Sequence, residues 1–138
     1  MSVQRLSATA ILLNANGNVL LQLRDNLPTL PFPNTWTLLG GAVEAGEKPL
    51  DAVRRELTEE IEYAPEKLHF LKSYLHSENI EDHIFVGYID IAEEQLNRQL
   101  HEGQRVKFFT PLEIREMTSF VPYGQKELLT EFFSAPIF

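Results

Sequence analysis

The chain has no cysteine. That excludes disulfides, thiolate metal sites and a cysteine nucleophile, and it fits a reducing compartment such as the cytoplasm. Positive charge is scarce: 12 Lys and Arg stand against 20 Asp and Glu, a net charge of −8. A surface this acidic repels a polyphosphate backbone, so no nucleic-acid polymer is expected as a partner. A small anion whose charge is met by cations is compatible with it. The sequence shows no basic and then apolar leader. No apolar run approaches the roughly 20 residues that cross a bilayer, so no membrane association is expected. Internal repeats, low-complexity tracts and long linkers are also missing. At 138 residues the expectation is one domain, 1–138, around one core.

What is present is a series of short apolar segments around one helix. Residues 8–14 and 19–24 flank a turn-rich stretch and read as a β-hairpin. Residues 25–34 contain Pro28, Pro31 and Pro33 and read as a loop. Residues 36–39 and 42–43 are brief extended pieces on either side of Gly40 and Gly41. A helix starts at Glu47 or Lys48, with Pro49 in its first turn, and runs to about Glu62, ahead of Pro65. Residues 69–76, 83–91 and 106–110 read as strands, 77–82 and 92–104 as loops, and 111–117 and 124–133 as helices. Strands, a helix, more strands and then helices predict a mixed sheet with helices packed on it.

The densest feature is Gly41, Glu47 and Arg55-Glu56-Leu57-Thr58-Glu59-Glu60, spaced Gly-x5-Glu-x7-Arg-Glu-Leu-x-Glu-Glu. On a helix, Glu56, Glu59 and Glu60 stand at i, i+3 and i+4 and share a face. Leu50, Val53, Leu57 and Ile61 form a neighbouring apolar stripe expected to face the core. Like charges four residues apart repel by roughly 0.2–0.5 kcal/mol per pair. Arg55 can pair with Glu59, but one guanidinium does not neutralise three carboxylates, whereas a hard divalent cation does. A bare Glu-x-x-Glu-Glu is more simply a solvated acidic face. The number of fixed positions weighs against that reading: at roughly 7% usage per residue type, six coincide by chance about once in 10⁷ starts.

Such a set suits hydrolysis at phosphorus. Cations screen the oxygens of a diphosphate and acidify a bound water. A neighbouring carboxylate can accept the proton. The two glycines let backbone approach closely, and a glycine carbonyl is itself a hard oxygen ligand.

Over residues 41–63 the series resembles the Nudix box, Gly-x5-Glu-x7-Arg-Glu-U-x-Glu-Glu-x-Gly-U, with U bulky and apolar. The resemblance implies a Mg²⁺-dependent hydrolase, with Mn²⁺ as a substitute, that cleaves a nucleoside diphosphate linked to another moiety. It implies an α/β fold, the α/β/α sandwich with a central mixed sheet, as monomer or homodimer. It also implies Glu56, Glu59 and Glu60 as metal ligands near the Gly40 carbonyl, with Arg55 and Glu47 orienting them. Two positions depart from the pattern. Glu62 stands where the box has its late glycine, which predicts a longer or differently capped helix end. Leu39 stands where a proline is usual, which predicts a less rigid approach to the box. Neither change removes a carboxylate. Both would also suit a non-catalytic nucleotide-sensing module on the same fold, and a small protein whose acidic helix meets a basic partner is a third reading.

Other residues carry alternatives. His101-Glu102-Gly103-Gln104 resembles a loop that supplies an extra metal-binding glutamate or a general base in several Nudix enzymes; a plain turn is the other reading. Glu59 or Glu102 is therefore the expected proton acceptor. Arg24 is a candidate phosphate contact, or else a surface arginine paired with Asp25 or another acid. Phe32 is a candidate to stack on a base, while Trp36 is expected in the core. His76 and His83, with Glu78, Glu81 and Asp82, read as solvated turn residues or as the source of a loop base. Nudix enzymes that sanitise oxidised guanine nucleotides can place an asparagine near residues 120–124 to read the purine; none follows Met117 here, so the resemblance argues against that specificity. Phe132, Phe133 and Phe138 are expected to pack.

Overall fold

The computed structural model describes residues 5–76 and 79–134. Its elements are β1 (Arg5–Leu13), β2 (Val19–Leu23), β3 (Trp36–Thr37), β4 (Leu39–Ala42), α1 (Pro49–Ile61), β5 (His69–His76), β6 (Ile80–Tyr88), α2 (Glu93–Arg98), β7 (Arg105–Phe109), α3 (Pro111–Glu116) and α4 (Gln125–Ser134). Glu78 and Phe138 lie outside the described residues.

β1 is the axis of the sheet. It runs parallel to β6 along its whole length, from Arg5 opposite Ile80 to Leu13 opposite Tyr88. β5 lies antiparallel beyond β6. On the other side, β4 covers Ser7 to Ala10 in antiparallel register. The expected hairpin is only partly formed: β2 meets β1 at Leu13–Val19 and then pairs with β3 and β7. Gly40 and Gly41 lie within β4 rather than between two extended pieces. The chain from Trp36 to Ala42 pairs first with β2 and then with β1. Leu38, at the changeover, donates its N–H to Gln125 Oε1 at 2.8 Å.

Alternation along β1 builds two cores. Ala8, Ala10 and Leu12 face α1, together with Leu20, Leu39 and Val106. Ile11 and Leu13 face the opposite way, against Ile114 of α3 and Leu128 and Leu129 of α4. The sheet is thus covered on both faces, and the fold is an α/β sandwich with a mixed sheet. The small side chains of Ala8 and Ala10 let α1 lie close to the sheet through Ala52, Val53, Leu57 and Ile61, all fully buried. Leu50 was expected in that stripe, but it sits in the first turn and is 36% exposed. Trp36 is half-buried, edge-on to Phe109 with ring centroids 4.7 Å apart. Phe132 and Phe133 pack against the second core.

Several boundaries shift: β1 begins at Arg5 rather than Ala8, and β6 ends at Tyr88 rather than Ile91. Residues 80–82 belong to β6, because the parallel ladder with β1 extends to Arg5. Residues 92–104, read as a loop, contain α2, anchored by buried Leu96. That helix serves the edge of β7 through side chains. Asn97 accepts from the Val106 N–H and donates to its carbonyl, both at 2.9 Å. Glu93 accepts from the Phe108 N–H at 2.8 Å. A single apolar residue among polar ones gave no period to read.

Candidate active site

α1 starts after Lys48 with Pro49 in its first turn and ends at Glu62. Glu62 is left-handed, with φ of 55°, and its N–H donates to Thr58 O. The helix therefore closes where the box glycine would close it, but with a side chain in the conformation glycine prefers. Leu39 is fully buried and paired with Ala10, so the approach to the box is held as strand despite the lost proline.

Arg55 ties the box together. Its Nε and Nη2 donate to the two carboxylate oxygens of Glu47 at 2.9 and 3.1 Å, a forked pair. Nη1 donates to Glu56 and to Glu59, both at 3.0 Å. Nη2 also reaches the Ala42 carbonyl at 3.0 Å. Loop, strand end and helix are thus joined by one guanidinium. The Arg55 hydrogen bond, and then the Glu44 N–H, hold the Glu47 carboxyl below its ordinary range.

The three helix glutamates differ in environment. Glu59 is the outermost, its side chain 58% exposed. Glu56 is half-buried against Gly41, where a Cβ would meet its carboxylate carbon at 2.5 Å, so only glycine fits. Burial raises the Glu56 carboxyl although Arg55 pulls it down. Glu60, read as part of an acidic stripe beside the core, is in fact buried, at 4% exposure. Burial first, and then the charges of Glu102 and Glu56, push its carboxyl up to about 9, with the Gly40 N–H pulling the other way. Its Oε1 has no hydrogen-bond partner among the described residues.

Glu102 comes to this group from a distant stretch of chain. Its carboxyl lies near enough to Glu60 to raise the Glu60 carboxyl by its charge. The Glu102-Gly103-Gln104 turn is fastened to β2: Gln22 Nε2 donates to the Glu102 carbonyl at 2.6 Å, and the Gln104 N–H to the Leu23 carbonyl at 2.8 Å. The Gln104 amide spans the Arg24 carbonyl and Asn34 Oδ1, both at 2.8 Å. The His101 N–H donates to the Glu60 carbonyl at 2.8 Å.

Among the described residues, no three acidic or histidine side chains already form a cation cage; Arg55 holds Glu56 and Glu59 instead. The donor set still fits a hard divalent cation in kind. Every donor is oxygen, the carboxylates outnumber the one guanidinium, and a buried carboxylate oxygen is unpartnered.

The remaining candidates divide. Arg24 forms no ion pair among the described residues; its Nε donates to the Pro31 carbonyl at 3.2 Å and braces the proline loop. Phe32 is 46% exposed and edge-on to Tyr123 at 5.6 Å. His76 and Asp82 are not solvated turn residues. They line a cavity of about 250 Å³ whose wall includes Gly40 and Gly41. Gln125 and Thr9 also line it. Nothing in the local sequence marked these residues as neighbours.

Known proteins resemble this chain in sequence and in fold. The family model described as NUDIX domain matches residues 3–132. The nucleoside triphosphatase NudI of Escherichia fergusonii is 38% identical over 58 residues, covering 42% of this chain. The chain spans only 40% of that relative's length. Among solved structures, the MutT protein of Methanosarcina mazei superposes with a TM-score of 0.75 at 21% identity, over 96% of this chain and 95% of that one. The NUDIX domain of Shewanella oneidensis NrtR, complexed with ADP ribose, superposes with a TM-score of 0.69 at 18% identity, over 98% and 91%. At these identities the structural likeness is one of fold.

Proposed function

The chain belongs to the Nudix family, and from that premise we propose that it is a Mg²⁺-dependent pyrophosphohydrolase acting on a nucleoside diphosphate linked to another moiety. The observation that supports this best is the buried Glu60 carboxyl, pressed by Glu102 and Glu56 and carrying an oxygen with no partner among the described residues. A fold gains nothing by stacking carboxylates in a dry site unless something positive is to be held there.

In this reading Glu56, Glu59 and Glu60 hold Mg²⁺ or Mn²⁺, with the Gly40 carbonyl beside them. The bound cation screens the diphosphate and lowers the pKa of a water. Arg55 and Glu47 keep the helix glutamates in place. Glu102, facing Glu60 from a fastened turn, takes the proton of the attacking water; Glu59, tied to Arg55, is the second candidate. Arg24 and Phe32, at the proline loop, contact the substrate. The proposal extends to a cytoplasmic protein, monomer or homodimer, whose partners are small nucleotides. No helix among the described residues is long and apolar enough to cross a membrane.

The test is turnover, with Mg²⁺ or Mn²⁺, of nucleoside triphosphates, nucleotide sugars, dinucleoside polyphosphates and ADP-ribose, with products identified by mass spectrometry. Release of a phosphorylated nucleoside that is lost in Glu60→Gln supports the reading. Binding without turnover of any member overturns it in favour of a sensing module.

A further inference from the structure

We infer that Gln22 is a positioning residue for the reaction: its amide fixes the peptide of Glu102 and so sets where that carboxyl stands beside Glu60. This rests on the metal-dependent hydrolysis, with Glu102 taking part, proposed above.

Gln22 is the polar exception in its strand. β2 reads Val19-Leu20-Leu21-Gln22-Leu23. Gln22 pairs with Thr37 of β3 and Val106 of β7, which puts it inside the sheet rather than at an edge. It is 5% exposed. Side chains two apart on a strand share a face, so Gln22 lies on the face of Leu20, which packs in the same core as α1. An apolar side chain would satisfy packing at such a position, and a buried amide costs stability unless its polar atoms find partners. The partner here is remote in sequence. Gln22 Nε2 donates to the Glu102 carbonyl at 2.6 Å.

The fit around that bond is close. Gly103 shares the bonded peptide and has φ of 87°. A Cβ there would stand 2.8 Å from Gln22 Cγ and 2.9 Å from the Leu23 carbonyl oxygen. Glycine is what lets the peptide settle onto the Gln22 side chain. The other ties of the turn bracket Glu102 without touching it. The His101 N–H goes to the Glu60 carbonyl and the Gln104 N–H to the Leu23 carbonyl, each at 2.8 Å. The Gln104 amide reaches Arg24 and Asn34. Among the described residues, Gln22 is the side chain that hydrogen-bonds the Glu102 backbone itself.

The consequence is for Glu102. Its side chain is exposed, so surrounding packing does not place it. The backbone that carries it does, and its charge acts on Glu60 from there. A misplacement of roughly 1 Å in an aligned site can cost about 100-fold in rate.

The test measures kcat and KM, with Mg²⁺ and the fastest substrate of the panel named above. The proteins are the wild type, Gln22→Met, Gly103→Ala, Glu102→Gln and the double variant Gln22→Met with Glu102→Gln. Melting curves check that each folds. Methionine keeps the length of Gln22 but donates nothing. Gly103→Ala lifts the peptide from outside the core, so it keeps the test alive if β2 does not tolerate the change. Each should lower kcat about 10-fold with KM within about twofold, as outer-shell changes do. Adding Gln22→Met to Glu102→Gln should change kcat less than about twofold, because two residues that act through one group are not additive.

Four outcomes would overturn the assignment while leaving the hydrolase intact. They are wild-type kcat in Gln22→Met, a loss carried in KM, the same loss with and without Glu102, and full activity in Glu102→Gln. Absence of turnover by the wild type would overturn the hydrolase reading itself. Hydrogen exchange of the segment 101–104 then decides the anchoring alone. Faster exchange in Gln22→Met supports it, and unchanged exchange sinks it.

Discussion

Glu62 and His101 form a close side-chain pair that joins the C-terminus of α1 to the turn carrying Glu102. The His101 N–H also holds the Glu60 carbonyl at 2.8 Å. The residue before Glu102 is therefore fastened twice to the end of the box helix. Both side chains are more than half exposed, and exposed pairs contribute only about 0–1 kcal/mol. Against that stands the left-handed backbone of Glu62, with φ of 55°, which costs a residue with a Cβ roughly 1–2 kcal/mol. The backbone cost is the larger. Glu62→Gly should raise stability by about 0.5–1 kcal/mol, read as a higher urea midpoint at unchanged slope. A lower midpoint would show that the side-chain pair outweighs the backbone.

The closure of α1 near Glu62 was legible in the sequence, because Pro49, the 3.6-residue apolar period and Pro65 bracket the helix. The burial of Glu60 was legible in part. On an ideal helix it lies roughly 20° from Val53, nearer the apolar stripe than Glu56 or Glu59, yet its charge argued for solvent. What could not be read was long-range. Asp82 follows a polar run that looks like a solvated turn, and only the parallel ladder that places it opposite Ser7 buries it. Gln125 opens a helix, and its role appears only where β3 passes into β4 and frees the Leu38 N–H. Glu102 was suggested by its tripeptide, but its place near Glu60 depends on Gln22 and Gln104 fastening that turn to β2.

Arg55 makes five separate hydrogen bonds to Glu47, Glu56, Glu59 and the Ala42 carbonyl. A lysine ammonium is a single point charge and cannot span both Glu47 and the helix glutamates. Arg55→Lys should keep the fold, lower kcat about 10- to 100-fold and raise the Mg²⁺ concentration for half-maximal rate, as outer-shell changes at metal sites do. Steady-state kinetics across a Mg²⁺ titration checks this. A variant within twofold of wild type in both quantities would mean that the forked geometry is dispensable.

Asp82 yields a prediction for stability against pH. Burial raises its carboxyl, more than Thr9, Ser7, His76 and His83 pull it down. A raised folded-state pKa means that the stability Asp82 contributes is fully present below its unfolded value, about 3.9. That stability is lost as pH rises through the folded value. Asparagine carries no such dependence. Asp82→Asn should therefore be as stable as wild type or more so at neutral pH, with the gap closing as pH falls toward about 4. Urea titrations at four or five pH values measure it. A gap that widens toward acid would mean that the ionised carboxylate is favoured in the folded protein.

Glu60 links stability to metal. Burial and the charges of Glu102 and Glu56 all oppose its ionised form and push its carboxyl up to about 9, so at neutral pH the metal-free protein must take up a proton there to fold, and removing the titrating group relieves that cost. Glu60→Gln should melt higher than wild type in a chelator at neutral pH, since glutamine folds without that proton uptake. Magnesium should reverse the order. A ligand that binds only the folded state at 100 times its Kd adds about 2.7 kcal/mol, and the wild type should receive most of that while Glu60→Gln receives little. Melting curves of both proteins, each with chelator and with Mg²⁺ in excess, give four midpoints whose crossing is the signature. Hydrolysis by Glu60→Gln should fall by orders of magnitude in the same samples. Equal gains from Mg²⁺ in the two proteins, with activity retained, would place the cation away from Glu60 and leave its burial without a functional account.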